Sequence, residues 1–250
     1  LYLRLSIAAS GRLITMRHEE KFICPERELT LLDHRLRYLT SPDSHQAGDH
    51  YHIRSLYLDT ADDRMYRESL DGVDLRSKYR IRFYNMQDDL IRLERKDTVG
   101  RLKRKHSVLI GRETVDNIIS GKELKFFAGD HPDHEVFREL CMLWQSEGLR
   151  PVIIVDYIRT AYLYPAGNVR ITFDRNISCT LRTSDLMDPH AVLYPIMPMG
   201  MHILEVKYDG MLPGFLAKAI DMGNLKQVSF SKYAYSRIVT ENNGRACSNY

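Results

Sequence analysis

SKYRIRFYNMQDDLIRLERKDTVGRLKRKHSVLI, residues 77–110, contains three successive stretches with one alternation. In Ser77–Met86, Arg80 and Arg82 fall two apart, with Tyr79, Ile81 and Phe83 between and around them. In Leu90–Asp97, Arg92, Glu94 and Lys96 share a face while Ile91 and Leu93 lie opposite. In Arg101–Ile110, Arg101, Lys103 and Lys105 repeat the pattern. Side chains two apart on a strand point the same way, so this period predicts three strands, each basic on one side and apolar on the other. Turn-forming residues separate them at Asn85 to Asp89 and at Val99-Gly100.

The same alternation recurs in Met16–Ile23, Tyr51–Leu58, Pro151–Leu163, Val169–Ile177 and His202–Tyr208. Arg17, Glu19 and Lys21 share a face, as do Tyr157 and Arg159. Arg170 stands opposite Val169 and Ile171, and Glu205 and Lys207 alternate with Leu204 and Val206. Helical spacing appears in Pro25–Leu39, Thr114–Ile119, Asp133–Glu147, Pro213–Met222 and Ser231–Thr240. About eight strands with helices outside and at the C-terminus predict an α+β fold, an antiparallel barrel or sandwich with helical covers.

The 250 residues, 44% hydrophobic, suffice for one large domain, here expected over 16–240 with 1–15 and 241–250 as flanking extensions. The net charge of +3 is too small for a general nucleic-acid binder. Cys24, Cys141, Cys179 and Cys247 have no zinc spacing, so a reduced, cytoplasmic setting with buried thiols is expected. No apolar run is long enough to span a membrane. Leu1–Thr15 is a poor signal peptide, and Met16 is the expected natural start. His131, His134 and Asp130–Asp133 fit a surface helix cap better than a metal site.

For any one strand a basic face is best explained as a solvated exterior. So many faces dominated by Arg and Lys favour another arrangement, a barrel with these faces turned inward around a polyanion. Cations crowded in low dielectric repel one another until an anion neutralises them. Arginine gives phosphate bidentate hydrogen bonds and lysine gives a compact charge. Glu205, Glu19 and Glu94 then have two readings: ligands of a divalent cation held against the phosphates, or counter-charges for the lysine two residues on.

Eight segments in order carry a resemblance: Arg17–Lys21, Ser55–Thr60, Lys78–Tyr84, Leu93–Lys96, Tyr157–Tyr162, Val169–Asp174, Leu204–Lys207 and Ser229–Tyr233. Together they resemble the VTC domain, the catalytic module of the vacuolar transporter chaperone complex, and its stand-alone bacterial relatives among the triphosphate tunnel metalloenzymes. The resemblance implies an eight-stranded antiparallel tunnel and a metal-dependent phosphotransferase that moves the ATP γ-phosphate onto polyphosphate, with Mn2+ or Mg2+ as cofactor. It implies catalytic roles for Lys21, Arg80, Arg82, Lys96, Arg159, Arg170 and Lys207. Lys103, Lys105, Ser231 and Lys232 would bind phosphate, and Glu205 would bind metal.

The sequence departs from the wider superfamily in having Arg17, not a glutamate, at the first position of Glu-x-Glu-x-Lys. Ser229 stands where the eukaryotic polymerases carry a lysine. The membrane and inositol-phosphate-sensing domains of the eukaryotic enzyme have no counterpart in these residues, so any membrane-protein partner lies outside them. A tripolyphosphate or nucleoside triphosphate hydrolase and a non-catalytic polyphosphate-binding module are the alternatives. ATP and polyphosphate, not nucleic acid, are the expected ligands.

Overall fold

The computed structural model describes residues 17–44, 46, 48–100, 102–124, 135–220 and 225–247. Leu1–Met16, Arg101, Asp130, His131, Asp133, His134 and Met222, on which expectations were placed, lie outside the described residues. So does the side chain of Cys247, whereas Cys24, Cys141 and Cys179 are buried thiols.

In chain order the strands are β1 (Arg17–Pro25), β2 (Ser41–Pro42), β3 (Tyr51–Asp59), β4 (Leu75–Tyr84), β5 (Gln87–Val99), β6 (Leu102–Leu109), β7 (Arg150–Tyr164), β8 (Val169–Thr180), β9 (Tyr194–Pro195), β10 (Met201–Asp209) and β11 (Lys226–Gln227). They form one antiparallel sheet in the order β11-β1-β10-β8-β7-β3-β4-β5-β6, with β2 on β7 and β9 on β8. Apart from the two-residue β2, β9 and β11, the strands are those the alternation predicts. Several ends differ by a few residues, most plainly at the β4–β5 hairpin. Asn85 and Met86 both have positive φ, 52° and 56°, forming a two-residue hairpin turn, so β5 starts at Gln87 rather than Leu90. The turn is pinned to β3: His52 N–H donates to Asn85 Oδ1 at 2.9 Å, and Asn85 N–H to the His52 carbonyl at 3.0 Å.

Among the described residues the α-helices are α1 (Glu26–Leu39), α2 (Arg64–Asp71), α3 (Arg112–Ile119), α4 (Glu135–Glu147), α5 (Gly214–Ile220) and α6 (Lys232–Cys247). Helix α6 runs past Thr240, the helix end expected from the sequence, to Cys247. Leu29, Leu32 and Leu36 of α1 and Leu216 and Ile220 of α5 bury Phe22, Ile171, Phe173, Leu204 and Val206. Val115, Ile118, Val136 and Leu140 of α3 and α4 bury Tyr79, Ile81, Phe83, Ile91 and Leu93. Helices α1, α3, α4 and α5 thus cover the apolar convex face, and the intervening basic residues fall on the concave one.

The expected closed barrel is corrected in one respect. Among the described residues no backbone ladder joins β6 to β1. The edge of β1 away from β10 is taken by β11, where Phe22 and Ile23 pair with Gln227 and Lys226. The long strands curl the sheet by their intrinsic twist, and its two ends meet through side chains. Lys103 Nζ of β6 lies 2.8 Å from the Glu19 carboxylate of β1, and Lys96 Nζ of β5 lies 3.6 Å from it.

Helix α2, which the sequence reading missed, depends on Asp59, fully buried at the end of β3. Asp59 Oδ1 accepts from the N–H of Thr60 at 2.8 Å and of Met65 at 2.9 Å; Oδ2 accepts from Tyr66 N–H at 2.9 Å and from the Tyr233 hydroxyl. The cap residue Asp63 makes no side-chain cap bond, so Asp59 satisfies the orphan donors from outside the helix. Asp59→Ala is expected to lower stability by about 2–3 kcal/mol, since several buried donors lose one acceptor. Urea unfolding midpoints would measure this, and an unchanged midpoint would refute it.

Candidate functional site

Three ion clusters line the concave face. The first joins both ends of the sheet. In the β1–β10 ladder, Lys21 stands opposite Glu205 and Glu19 opposite Lys207. Lys21 Nζ lies 3.2 Å from Glu19 and 3.7 Å from Glu205, while Lys207 pairs with Glu205. Lys96 and Lys103 reach the same Glu19 from across the chamber.

The second cluster surrounds Glu94. Arg80 donates from Nε at 2.7 Å and lies 2.6 Å away through Nη2; Arg82 Nη1 is at 3.8 Å and Lys105 Nζ at 3.4 Å. Arg82 also donates to Ser55 Oγ at 3.3 Å and to the Tyr157 hydroxyl at 3.2 Å, and Arg80 donates to the Tyr57 hydroxyl at 3.3 Å. The third centres on Asp174. Arg159 grips it with two bonds of 2.5 and 2.7 Å, and Lys232 pairs with the second oxygen. Lys232 Nζ sits 4.7 Å from the centre of the Tyr157 ring. Arg170 donates to the Tyr51 hydroxyl at 2.9 Å and meets Asp43 at 2.7 Å. Lys78 Nζ donates to Ser231 Oγ at 3.0 Å.

The potential here is set by cations. Burial raises the Tyr57 phenol, yet Arg80 and Arg82 outweigh it and hold its pKa below the ordinary value. Burial likewise raises Glu205, but Lys207, Lys21 and Arg159 hold it well below the usual carboxylate range. Burial, with Lys207 and Lys21 adding repulsion, brings the Lys96 ammonium down to about 7 against the pull of Glu19. Burial brings Lys78 down to about 8, with Arg76, Lys21 and Arg80 adding repulsion.

Lys78 gives a pH signature. A lysine with a depressed pKa is charged below that pKa and loses its charge above it, and a bound polyanion favours the charged form. Metal-free tripolyphosphate affinity is therefore expected to fall about tenfold from pH 7 to pH 9 through this one group. The comparison is wild type against Lys78→Met, because both share the ligand's own titration. Parallel pH profiles in isothermal titration calorimetry would refute it.

The three glutamates expected at a metal do not gather. Among the described residues no group of three or more His, Cys, Asp or Glu is placed to hold an ion. Glu19 and Glu205 meet at Lys21, whereas Glu94 is enclosed by Arg80, Arg82 and Lys105. The counter-charge reading has partial support: Glu19–Lys21 and Glu205–Lys207 pair as that reading requires, but Lys96 turns to Glu19. Glu19 Oε1 is buried and, although close to Lys21, accepts no well-directed hydrogen bond. Two hard carboxylates with an unsatisfied oxygen are the donor chemistry that Mg2+ or Mn2+ takes when phosphates complete the shell.

The structure brings onto one face the basic residues to which the resemblance gave a role: Lys21, Arg80, Arg82, Lys96, Lys103, Lys105, Arg159, Arg170, Lys207 and Lys232, with Ser231 beside them. Arg17 stands apart, exposed and donating to the Asn168 carbonyl at 3.2 Å. Asp174, Lys78 and Tyr157 belong to the site and were missed as site residues. Their alternation with Arg170, Arg80 and Arg159 was the available signal.

The chain matches the VTC domain family over residues 16–240 and belongs to that family. Family membership implies chemistry on triphosphates or polyphosphate. No curated protein sequence matches the chain. Solved structures resemble the chain at low identity. A Bacillus halodurans protein, described provisionally as an adenylate cyclase, is 15% identical, with 87% of this chain and 94% of that one covered and a TM-score of 0.51. A Vibrio parahaemolyticus protein with the same provisional description is 10% identical over 86% and 95%, TM-score 0.46. A Pyrococcus horikoshii OT3 protein is 14% identical over 90% and 99%, TM-score 0.43. No described helix is long and apolar enough to cross a membrane.

Proposed function

We propose that this chain is a polyphosphate polymerase, transferring the γ-phosphoryl group of ATP to the end of a polyphosphate chain. The observation that carries the reading is the convergence of Lys21, Lys96, Lys103 and Lys207 on the carboxylates of Glu19 and Glu205. Repelling cations there match a polyanion, and the paired carboxylates match the metal ion that accompanies it. A divalent ion on Glu19 and Glu205 would neutralise charge on the triphosphate and polarise it.

The chain's own groups do the rest. Arg80, Arg82 and Arg159 offer planar, bidentate donors to phosphoryl oxygens. Lys21, Lys96, Lys207 and Arg170 balance charge on donor and acceptor. Lys103, Lys105, Ser231 and Lys232 line the approach and hold neighbouring phosphates. A terminal oxygen of the acceptor attacks the γ-phosphorus, the bond from phosphorus to the β–γ bridging oxygen breaks, and ADP leaves with that electron pair. Positioning and charge neutralisation supply the catalysis, and no side-chain nucleophile is required. Glu94 serves as internal counter-charge for Arg80, Arg82 and Lys105 rather than as a metal ligand.

Labelled ATP with Mn2+ tests this directly. Acid-insoluble polyphosphate is the expected product. Orthophosphate released from ATP and tripolyphosphate without chain growth would make the chain a hydrolase. Tight polyphosphate binding with no turnover under any divalent ion would make it a binding module.

A further inference from the structure

Strand β10 carries Glu205 between β1 and β8, and each neighbour places one residue directly across from it: Lys21 of β1 and Thr172 of β8. On β8, Arg170, Thr172 and Asp174 share the concave face, while Ile171 and Phe173 pack with the leucines of α1 and α5 on the other. Arg170 is held by Asp43 and Tyr51, and Asp174 by Arg159 and Lys232. Thr172 between them has no such partner. It is 2% exposed, and its hydroxyl makes no hydrogen bond among the described residues. The strands on either side of Glu205 thus each carry a buried oxygen without a hydrogen bond, Thr172 Oγ1 on β8 and Glu19 Oε1 on β1.

A buried hydroxyl without a partner costs free energy that valine, of the same shape, would avoid. Valine suits a strand equally well, so packing does not call for the hydroxyl. Its use follows from how Glu205 is occupied. One Glu205 oxygen pairs with Lys207 and the other lies 3.7 Å from Lys21, so both already face ammonium groups. Phosphates entering the chamber compete for those same lysines. Once the lysines turn to a polyanion, Glu205 is left with an oxygen in low dielectric that needs a donor. Residues directly opposed on antiparallel strands have Cβ atoms about 4.5–5.5 Å apart, within reach of a bond from hydroxyl to carboxylate. On its other side Thr172 stands opposite Ala161 of β7, which offers no polar side-chain atom to compete.

We propose that Thr172 is a positioning residue: in the loaded chamber its hydroxyl donates to Glu205 and fixes that carboxylate as a ligand of the divalent ion. The inference rests on the metal-assisted polyphosphate reading above and adds the donor that holds the ligand in place. A carboxylate that binds a metal through one oxygen is held through the other by an outer donor, and losing that donor costs about 10–100-fold in metal affinity. A hydroxyl suits the task better than a lysine does. It orients the carboxylate without placing a second positive charge beside the ion.

The test compares wild type, Thr172→Val and Thr172→Ser by calorimetric binding of tripolyphosphate, once in chelator and once at saturating Mn2+. The ratio of the two affinities measures the metal-linked gain without any turnover of ATP. Thr172→Val is expected to leave metal-free affinity unchanged and to shrink the metal-linked gain by about tenfold or more. Thr172→Ser keeps the hydroxyl and should keep the gain. Added to Glu205→Gln, Thr172→Val should change the ratio no further. The Tm of ligand-free Thr172→Val should equal or exceed that of wild type, because an unpaired buried hydroxyl is removed. A lower ligand-free Tm would make the hydroxyl a structural group and overturn the inference. An equal loss of affinity with and without Mn2+ would make Thr172 a direct phosphate contact and overturn its positioning role, as would an unchanged ratio or a further fall in the Glu205→Gln background. If wild type binds tripolyphosphate no better with Mn2+ than without it, the metal assignment falls and takes the inference with it. Failure of wild type to bind tripolyphosphate at all overturns the polyphosphate reading itself.

Discussion

Glu205→Gln is expected to reduce metal-dependent turnover of ATP by about 10³-fold, and at the same time to leave metal-free tripolyphosphate binding intact or tighter. The two effects have opposite signs because Glu205 faces two demands. As a carboxylate beside Glu19 it is half of the oxygen pair that suits a divalent ion. Within the protein it is a counter-charge to Lys207 and Lys21. The amide keeps the shape of the side chain and removes its charge. The proposed metal ligand is lost, while the cations around it face the phosphates with one fewer competing anion. One unit charge near a partly solvated phosphate corresponds to about 1–2 kcal/mol, or roughly tenfold in affinity. Turnover with Mn2+ and calorimetric binding in chelator, measured on the same preparation, separate the roles. If turnover and metal-free binding fall together, Glu205 is structural and the metal assignment fails. If turnover is unchanged, the catalytic reading fails.

The strands of this chamber were legible because alternation is a local property. Tyr79, Ile81 and Phe83 against Lys78, Arg80 and Arg82 predict a two-faced strand whatever lies around it. The direction of the basic face is not local. A solvated face and a chamber face have the same period, and only the helices that bury Tyr79, Ile81 and Phe83 settle which side is outside. Partners were hidden for the same reason. Arg159 and Asp174 stand opposite each other only because of the β7–β8 register, which a bulge shifts, and no spacing in the sequence reports that pairing. Glu19 is grouped with Lys96 and Lys103 by curvature of the whole sheet. Helix α2 was invisible because its cap is Asp59, several residues upstream, rather than a local capping box. The closed barrel was over-read, since the competing strand β11 is two residues long and carries no pattern.

Asp174→Ala is expected to be the most destabilising single change in the chamber, and the loss should be partly restored by ligand. Asp174 is fully buried and holds two buried cations at once, Arg159 through a bidentate pair and Lys232 through one oxygen. Burial raises its pKa, but Arg159 and Lys232 bring it down to about 2, so the pair is ionised at neutral pH. Removing the carboxylate strands both cations in low dielectric, which costs about 3–5 kcal/mol. For a chain of this size that corresponds to a fall in Tm of about 10 °C. A purely structural ion pair would lose stability in the same way, so the decisive measurement is recovery. At tripolyphosphate concentrations near 100 Kd, binding adds about 2.7 kcal/mol to any competent protein. In the variant the phosphates also supply the missing counter-charge to Arg159 and Lys232, so its Tm should rise more than that of wild type. Equal ligand-induced shifts would mean that these two cations do not face the phosphates. A larger shift in the variant, abolished when Lys232→Met is added, would place Lys232 in contact with the ligand.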